Sequence, residues 1–126
     1  MTRIFLLMLL LTMPIAATAH GPAPAAQHGG VVAETSDEHW LELVMTGNDI
    51  TIYVADQANK LIASVGLTAK ATILAGGKTQ QVALTPATAN TLVGKLETSA
   101  SGKVTAAISL SIGSKASQAR FTITRP

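Results

Sequence analysis

From Val31 onward the chain alternates apolar and polar positions with a period of two. Ile50, Ile52 and Val54 alternate with Thr51, Tyr53 and Ala55, and Val104, Ala106, Ile108 and Leu110 alternate with Thr105, Ala107, Ser109 and Ser111. Such a run lays one face on a core and turns the other to water. Turn-forming residues punctuate the runs at Ser36-Asp37, Gly47-Asn48-Asp49, Asp56 to Lys60, Gly76-Gly77, Pro86 to Asn90, Ser99 to Gly102 and Gly113-Ser114. No window after Ala19 has helical periodicity. The pattern predicts an all-β domain over residues 31–126: an antiparallel, immunoglobulin-like β-sandwich of about seven to eight short strands. An up-and-down barrel is the alternative, but strands this short would enclose little.

Two hairpins have a legible register. Gly76-Gly77 suits a two-residue turn whose central positions both need positive φ, which sets Ala71 opposite Val82 and Ala69 opposite Leu84. In the first hairpin, pairing Val31 with Leu43 and Ala33 with Leu41 gathers the apolar residues on one face. Thr35 then falls opposite His39 and Met45 opposite Gly29. Glu34, Trp40 and Glu42 fall on the other face, which reads as solvated.

The residues ahead of the strands read differently. Arg3, the apolar run Ile4 to Leu11, Pro14 and the small-x-small triplet Ala17-Thr18-Ala19 make residues 1–19 a cleavable signal peptide. The run is too short to span a bilayer, which takes about 20 apolar residues. The expectation is export to the periplasm with no membrane span after cleavage. Residues 20–30, with Pro22, Pro24 and Gly29-Gly30, read as a flexible tether.

Composition narrows the function. A chain of 126 residues holds one domain, and the complete absence of cysteine excludes disulfides, thiolate metal sites, thiol catalysis and a lipid anchor. The formal net charge is only +2 and the basic residues are dispersed along the sequence, which argues against a nucleic-acid surface. There is no G-x-S-x-G, no P-loop, no H-E-x-x-H and no G-x-G-x-x-G, and the seven carboxylates are scattered. A non-enzymatic protein is expected.

The candidate chemistry lies in three histidines and one methionine: His20, His28, His39 and Met45. Imidazole is the commonest transition-metal ligand, and thioether suits copper(I). After cleavage His20 is a terminal residue offering an amine and a ring nitrogen, or else an incidental residue of the tail. His28 sits before two glycines that let backbone come close to whatever the imidazole holds, or else it is a surface residue leading into a strand. His39 starts a strand at the turn end of the first hairpin. Five to seven residues at about 3.3 Å each separate it from His28, so the two cannot share an ion within that hairpin. Met45 is either a soft ligand beside His28 or a core residue continuing Leu41 and Leu43.

With His28-Gly29-Gly30-Val31-Val32, Ala75-Gly76-Gly77-Lys78, Leu84-Thr85-Pro86 and Ala119-Arg120-Phe121-Thr122, the chain resembles small periplasmic proteins found with heavy-metal efflux systems of the resistance–nodulation–division type, and is similar to a domain of some of their adaptors. The resemblance covers most of the chain after residue 19. It implies a metal-binding module of the periplasm, with copper or zinc as the ion and an efflux adaptor as partner. A looser likeness, matched here only by His20, is to periplasmic copper-binding sandwiches whose mature chain begins with histidine. The competing expectation is a metal-independent interaction module that docks through its strand edges and the Trp40 face.

Overall fold

The structure, a computed structural model, describes residues 22–126; the signal peptide expected over residues 1–19 and His20 lie outside the described residues. Eight strands follow one another: β1 (Val31–Glu34), β2 (Trp40–Thr46), β3 (Asp49–Ala55), β4 (Thr68–Ala75), β5 (Lys78–Pro86), β6 (Thr91–Lys95), β7 (Gly102–Ile112) and β8 (Lys115–Arg125). Every pairing is antiparallel, and no helix occurs among the described residues. The expected all-β, antiparallel, sandwich-like architecture is what the chain adopts.

The period-two runs become strands because each buries one side completely. On β3, Ile50, Ile52 and Val54 are wholly buried, and on β7 so are Val104, Ala106, Ile108 and Leu110. Both hairpin registers read from the sequence are present. Val31 pairs with Leu43 and Ala33 with Leu41, while Ala71 faces Val82 and Ala69 faces Leu84 across the Gly76-Gly77 turn. Both turn glycines have positive φ, 56° and 75°, as a primed turn demands.

The order across the sheet is β1-β2-β3-β6-β5-β4-β7-β8. β3 therefore pairs with β6 and β4 with β7, neither of them its neighbour in the chain. β5 links two halves: it pairs along its length with β4 but meets β6 only at Thr85–Val93 and Pro86–Leu92. One half contributes Leu41, Leu43, Ile52 and Leu92 to the core, the other Ile73, Ile108, Leu110 and Phe121. The sheet curls until its first and last strands approach. There the Ser36 amide donates to the Gln118 carbonyl (3.0 Å) and the Gln118 amide to Ser36 Oγ (3.2 Å).

At one end of the molecule Arg125 ties three segments together. Its Nη1 donates to the Ala100 carbonyl and its Nη2 to the Gly47 carbonyl, each at 2.7 Å. The β2–β3 and β6–β7 connections are held to β8 this way by a charge-assisted fork.

Candidate functional site

The turn at Gly47-Asn48 sets the register of β2 on β3, and that register places Glu42 directly opposite Tyr53. Both side chains leave the sheet on the face away from the core, since their neighbours Leu41, Leu43, Ile52 and Val54 all point inward. The segment before β1 lies over this face. Two glycines permit it: Gly29 adopts φ +74°, and Gly30 runs so close to β2 that a Cβ there would press into the Leu43 carbonyl and the Val44 side chain.

Glu42 fastens that segment. Its Oε2 accepts from the amides of His28 (2.8 Å) and Gly30 (3.0 Å), and its Oε1 from the amide of Gln27 (3.1 Å). His28 Nδ1 closes the set, 2.9 Å from Oε1. Glu42 is therefore buried, 7% exposed, where the sequence pattern had put it on a solvated face. The alternation holds; what covers the outer face is the preceding segment, which periodicity cannot see. Burial pushes the carboxyl pKa up, but the hydrogen bonds from the His28 ring and the three amides outweigh it and hold the group below the ordinary glutamate value.

An ionised carboxylate only accepts, so the shared hydrogen belongs to Nδ1, and neutral His28 keeps its lone pair on Nε2. The ring is held in a second way by lying on Tyr53, with centroids 3.6 Å apart and planes 4° from parallel. Carboxylate on one nitrogen and a fixed ring plane is how metal-binding imidazoles are oriented in general. Beside the ring is a hollow of about 40 Å³ bordered by Pro24, Trp40, Tyr53 and Leu61. That is room for an ion with a water or two, far short of the ~300 Å³ at which organic-ligand pockets begin.

The other candidates are not gathered here. Met45 packs against the core on the inward face of β2, continuing Leu41 and Leu43, and so lies across the sheet from His28 and Glu42. His39 stands at the opposite end of the first hairpin with its own carboxylate: Nδ1 is 2.9 Å from Asp37 Oδ1, which also accepts from Thr35 Oγ1 at 2.6 Å. Thr35, buried, accepts in turn from the His39 amide at 3.0 Å. Burial raises the Asp37 pKa, and the bonds from Thr35 and His39 more than reverse this, bringing it down to about 2. The Ser117 hydroxyl adds a smaller effect from beyond hydrogen-bond geometry. Among the described residues no three His, Cys, Asp or Glu side chains are grouped to hold a metal ion.

Comparison with family models, with curated proteins and with solved structures returns no match.

The residues that sequence reasoning missed are Glu42 and Tyr53. One signal was available: the Gly47-Asn48 turn sets Glu42 across from Tyr53 on the outer face, and Val32 across from Glu42 puts the residues just before β1 within reach of both.

Proposed function

We propose that this chain is a non-enzymatic, periplasmic metal-binding accessory protein that delivers to, or senses for, a heavy-metal efflux adaptor. The observation that supports it most is the Glu42–His28 pair: with Nδ1 engaged at 2.9 Å, Nε2 is the nitrogen left for a metal ion. Engagement of one nitrogen by a carboxylate raises the basicity of the other. His28 supplies one protein ligand, and His20, eight residues earlier, is the natural second donor with the amine it gains on cleavage. Copper(II) and zinc both suit nitrogen donors of this kind.

Titration with copper and zinc by calorimetry, on wild type, His28→Ala and His39→Ala, tests the reading. Loss of binding in His28→Ala with retention in His39→Ala is the expected result. Equal affinity in wild type and His28→Ala would refute the assignment. Binding should also weaken in acid, because protons compete with the metal for the imidazole nitrogen.

A second reading, a metal-independent docking module, draws on Leu61 and Val65, which are 67% and 84% exposed on the β3–β4 connection. It requires adaptor binding that survives chelator and loss of all three histidines, and that disappears in Leu61→Ser/Val65→Ser.

A further inference from the structure

The near-neutral formal charge of +2 conceals a segregation that the folded chain makes plain. β4, β5, β7 and β8 carry Lys70, Lys78, Lys103, Lys115, Arg120 and Arg125, and not one aspartate or glutamate. All seven side-chain carboxylates belong to β1, β2, β3 and the connections around them and β6, in company with only Lys60 and Lys95. The strand order makes this a spatial division, because β5, β4, β7 and β8 are consecutive in the sheet. Arg125 is committed to the Ala100 and Gly47 carbonyls. Lys70, Lys78, Lys103, Lys115 and Arg120 are exposed, and among the described residues none of them forms a salt bridge.

We infer that the outer face of β4, β7 and β8 docks on an anionic phospholipid bilayer surface. The register shows what the face is made of. Lys70 lies beside Ser109 and Gln118, and Thr72 beside Ala107 and Arg120, with Leu74, Thr105 and Thr122 in the next row. Neighbouring strands are about 4.8 Å apart, so Lys70 and Arg120, separated by β7, stand about 10 Å apart or more. Cations this sparse, interleaved with hydroxyl donors, suit mobile, laterally adjusting phosphates. By register the cations of this face are Lys70, Lys103 and Arg120, while Lys78 and Lys115 stand at strand ends on the other parity; two of the three are lysines, compact charges on flexible stems that impose no bidentate geometry.

The alternatives lack what they would need on this face. A protein interface concentrates its affinity in buried aromatic and arginine anchors, and here the exposed large apolar residue is Leu74, at 46%. Single-stranded nucleic acid stacks on aromatic platforms, and the outer face of these strands has none. The acidic half completes the argument: a negative surface repels it, so the molecule would approach basic face first and leave the His28–Glu42 side turned outward. Each lysine or arginine near such a surface strengthens partitioning about five-fold, so the attachment is reversible and sensitive to salt.

The test is partitioning of the purified protein onto phosphatidylglycerol–phosphatidylcholine vesicles, with pure phosphatidylcholine vesicles as the reference. Two double reversals with the same change in net charge are compared: Lys70→Glu/Arg120→Glu on the basic face and Lys60→Glu/Lys95→Glu on the acidic half. The expected result is binding to anionic vesicles that falls steeply with salt and drops at least twenty-five-fold in the first variant, with a much smaller change in the second. Circular dichroism confirms that both variants are folded; should the first fail to fold, Lys70→Glu/Lys103→Glu takes its place. No partitioning at low salt, equal partitioning onto neutral vesicles, or equal losses in the two variants would each overturn the inference. So would preferential binding to an acidic polypeptide such as polyglutamate in the absence of vesicle binding.

Discussion

The imidazole of His28 lies flat on the phenol ring of Tyr53, 3.6 Å between centroids and 4° from parallel. The stack fixes the plane of the ring, while the bond to Glu42 fixes its rotation within that plane. Two constraints of different kind therefore set the direction of Nε2. Ring-current shielding should move the His28 carbon-bound protons upfield in the NMR spectrum. Tyr53→Phe should keep that shift and Tyr53→Leu abolish it; shifts unchanged in Tyr53→Leu would show that the rings do not stack in solution.

Glu42→Gln tests the fastening of the N-terminal segment. An amide keeps one oxygen acceptor but loses the charge and half of the accepting capacity, against four donors. Hydrogen exchange at Gln27, His28 and Gly30 should accelerate well beyond that of the β7 amides. Global stability should fall by only about 1–2 kcal/mol, because the released amides reach water instead of staying buried. Protection at those three positions equal to wild type would contradict the role given to Glu42.

Acid should act through two carboxylates. Glu42 is held below 4.5, and Asp37 is brought from 3.8 to about 2. Both ionise more readily folded than unfolded, so each contributes stability that is fully present above its unfolded pKa and is lost as pH falls through its folded one. Urea midpoints should thus stay level, as far as these groups are concerned, down to about pH 4.5 and decline from there toward pH 2. Asp37→Asn should be less stable at neutral pH and should flatten the lower part of that decline. Since Asp37 is about a third exposed, solvent screening keeps its share small.

The two glycines after His28 should differ in their response to alanine. Gly29, at φ +74° with open space around it, bears only the left-handed backbone penalty, about 1 kcal/mol. At Gly30 the new methyl meets the Leu43 carbonyl, backbone that cannot step aside, and the cost rises to about 1–3 kcal/mol. The separating observation is the His28 proton shift: Gly30→Ala should lift the ring from Tyr53, whereas Gly29→Ala should leave it in place.

What the sequence made legible was whatever depends on near neighbours. Alternation at Ile50–Val54 and Val104–Leu110, the Gly76-Gly77 turn and the Val31–Leu43 register all follow from local stereochemistry plus one buried face. The pairings β3–β6 and β4–β7 were out of reach, because non-local partners are chosen by how whole faces pack. The same distinction runs through the site. His28 stood out by residue type and its glycine context, yet its partners Glu42 and Tyr53 are assembled by a segment folding back over β2, an event that leaves no periodic trace. Met45 obeyed the alternation and stayed with the core. Charge was legible as a sum and illegible as a distribution, since dispersed cations gather in one half of the sheet only through the strand order.

The joint between Ser36 and Gln118 spans 82 positions of the chain, and it has a bearing on which truncations the fold survives. The first hairpin closes between near neighbours, but the mate of Ser36 lies 82 positions further along the chain. Any product terminated ahead of Gln118 lacks Phe121 and leaves the eleven-residue ribbon of β7 bare along one side. Bare ribbons of that length recruit strangers. Truncation ahead of Gln118 should therefore yield insoluble material, whereas the same chain carried through β8 stays in solution.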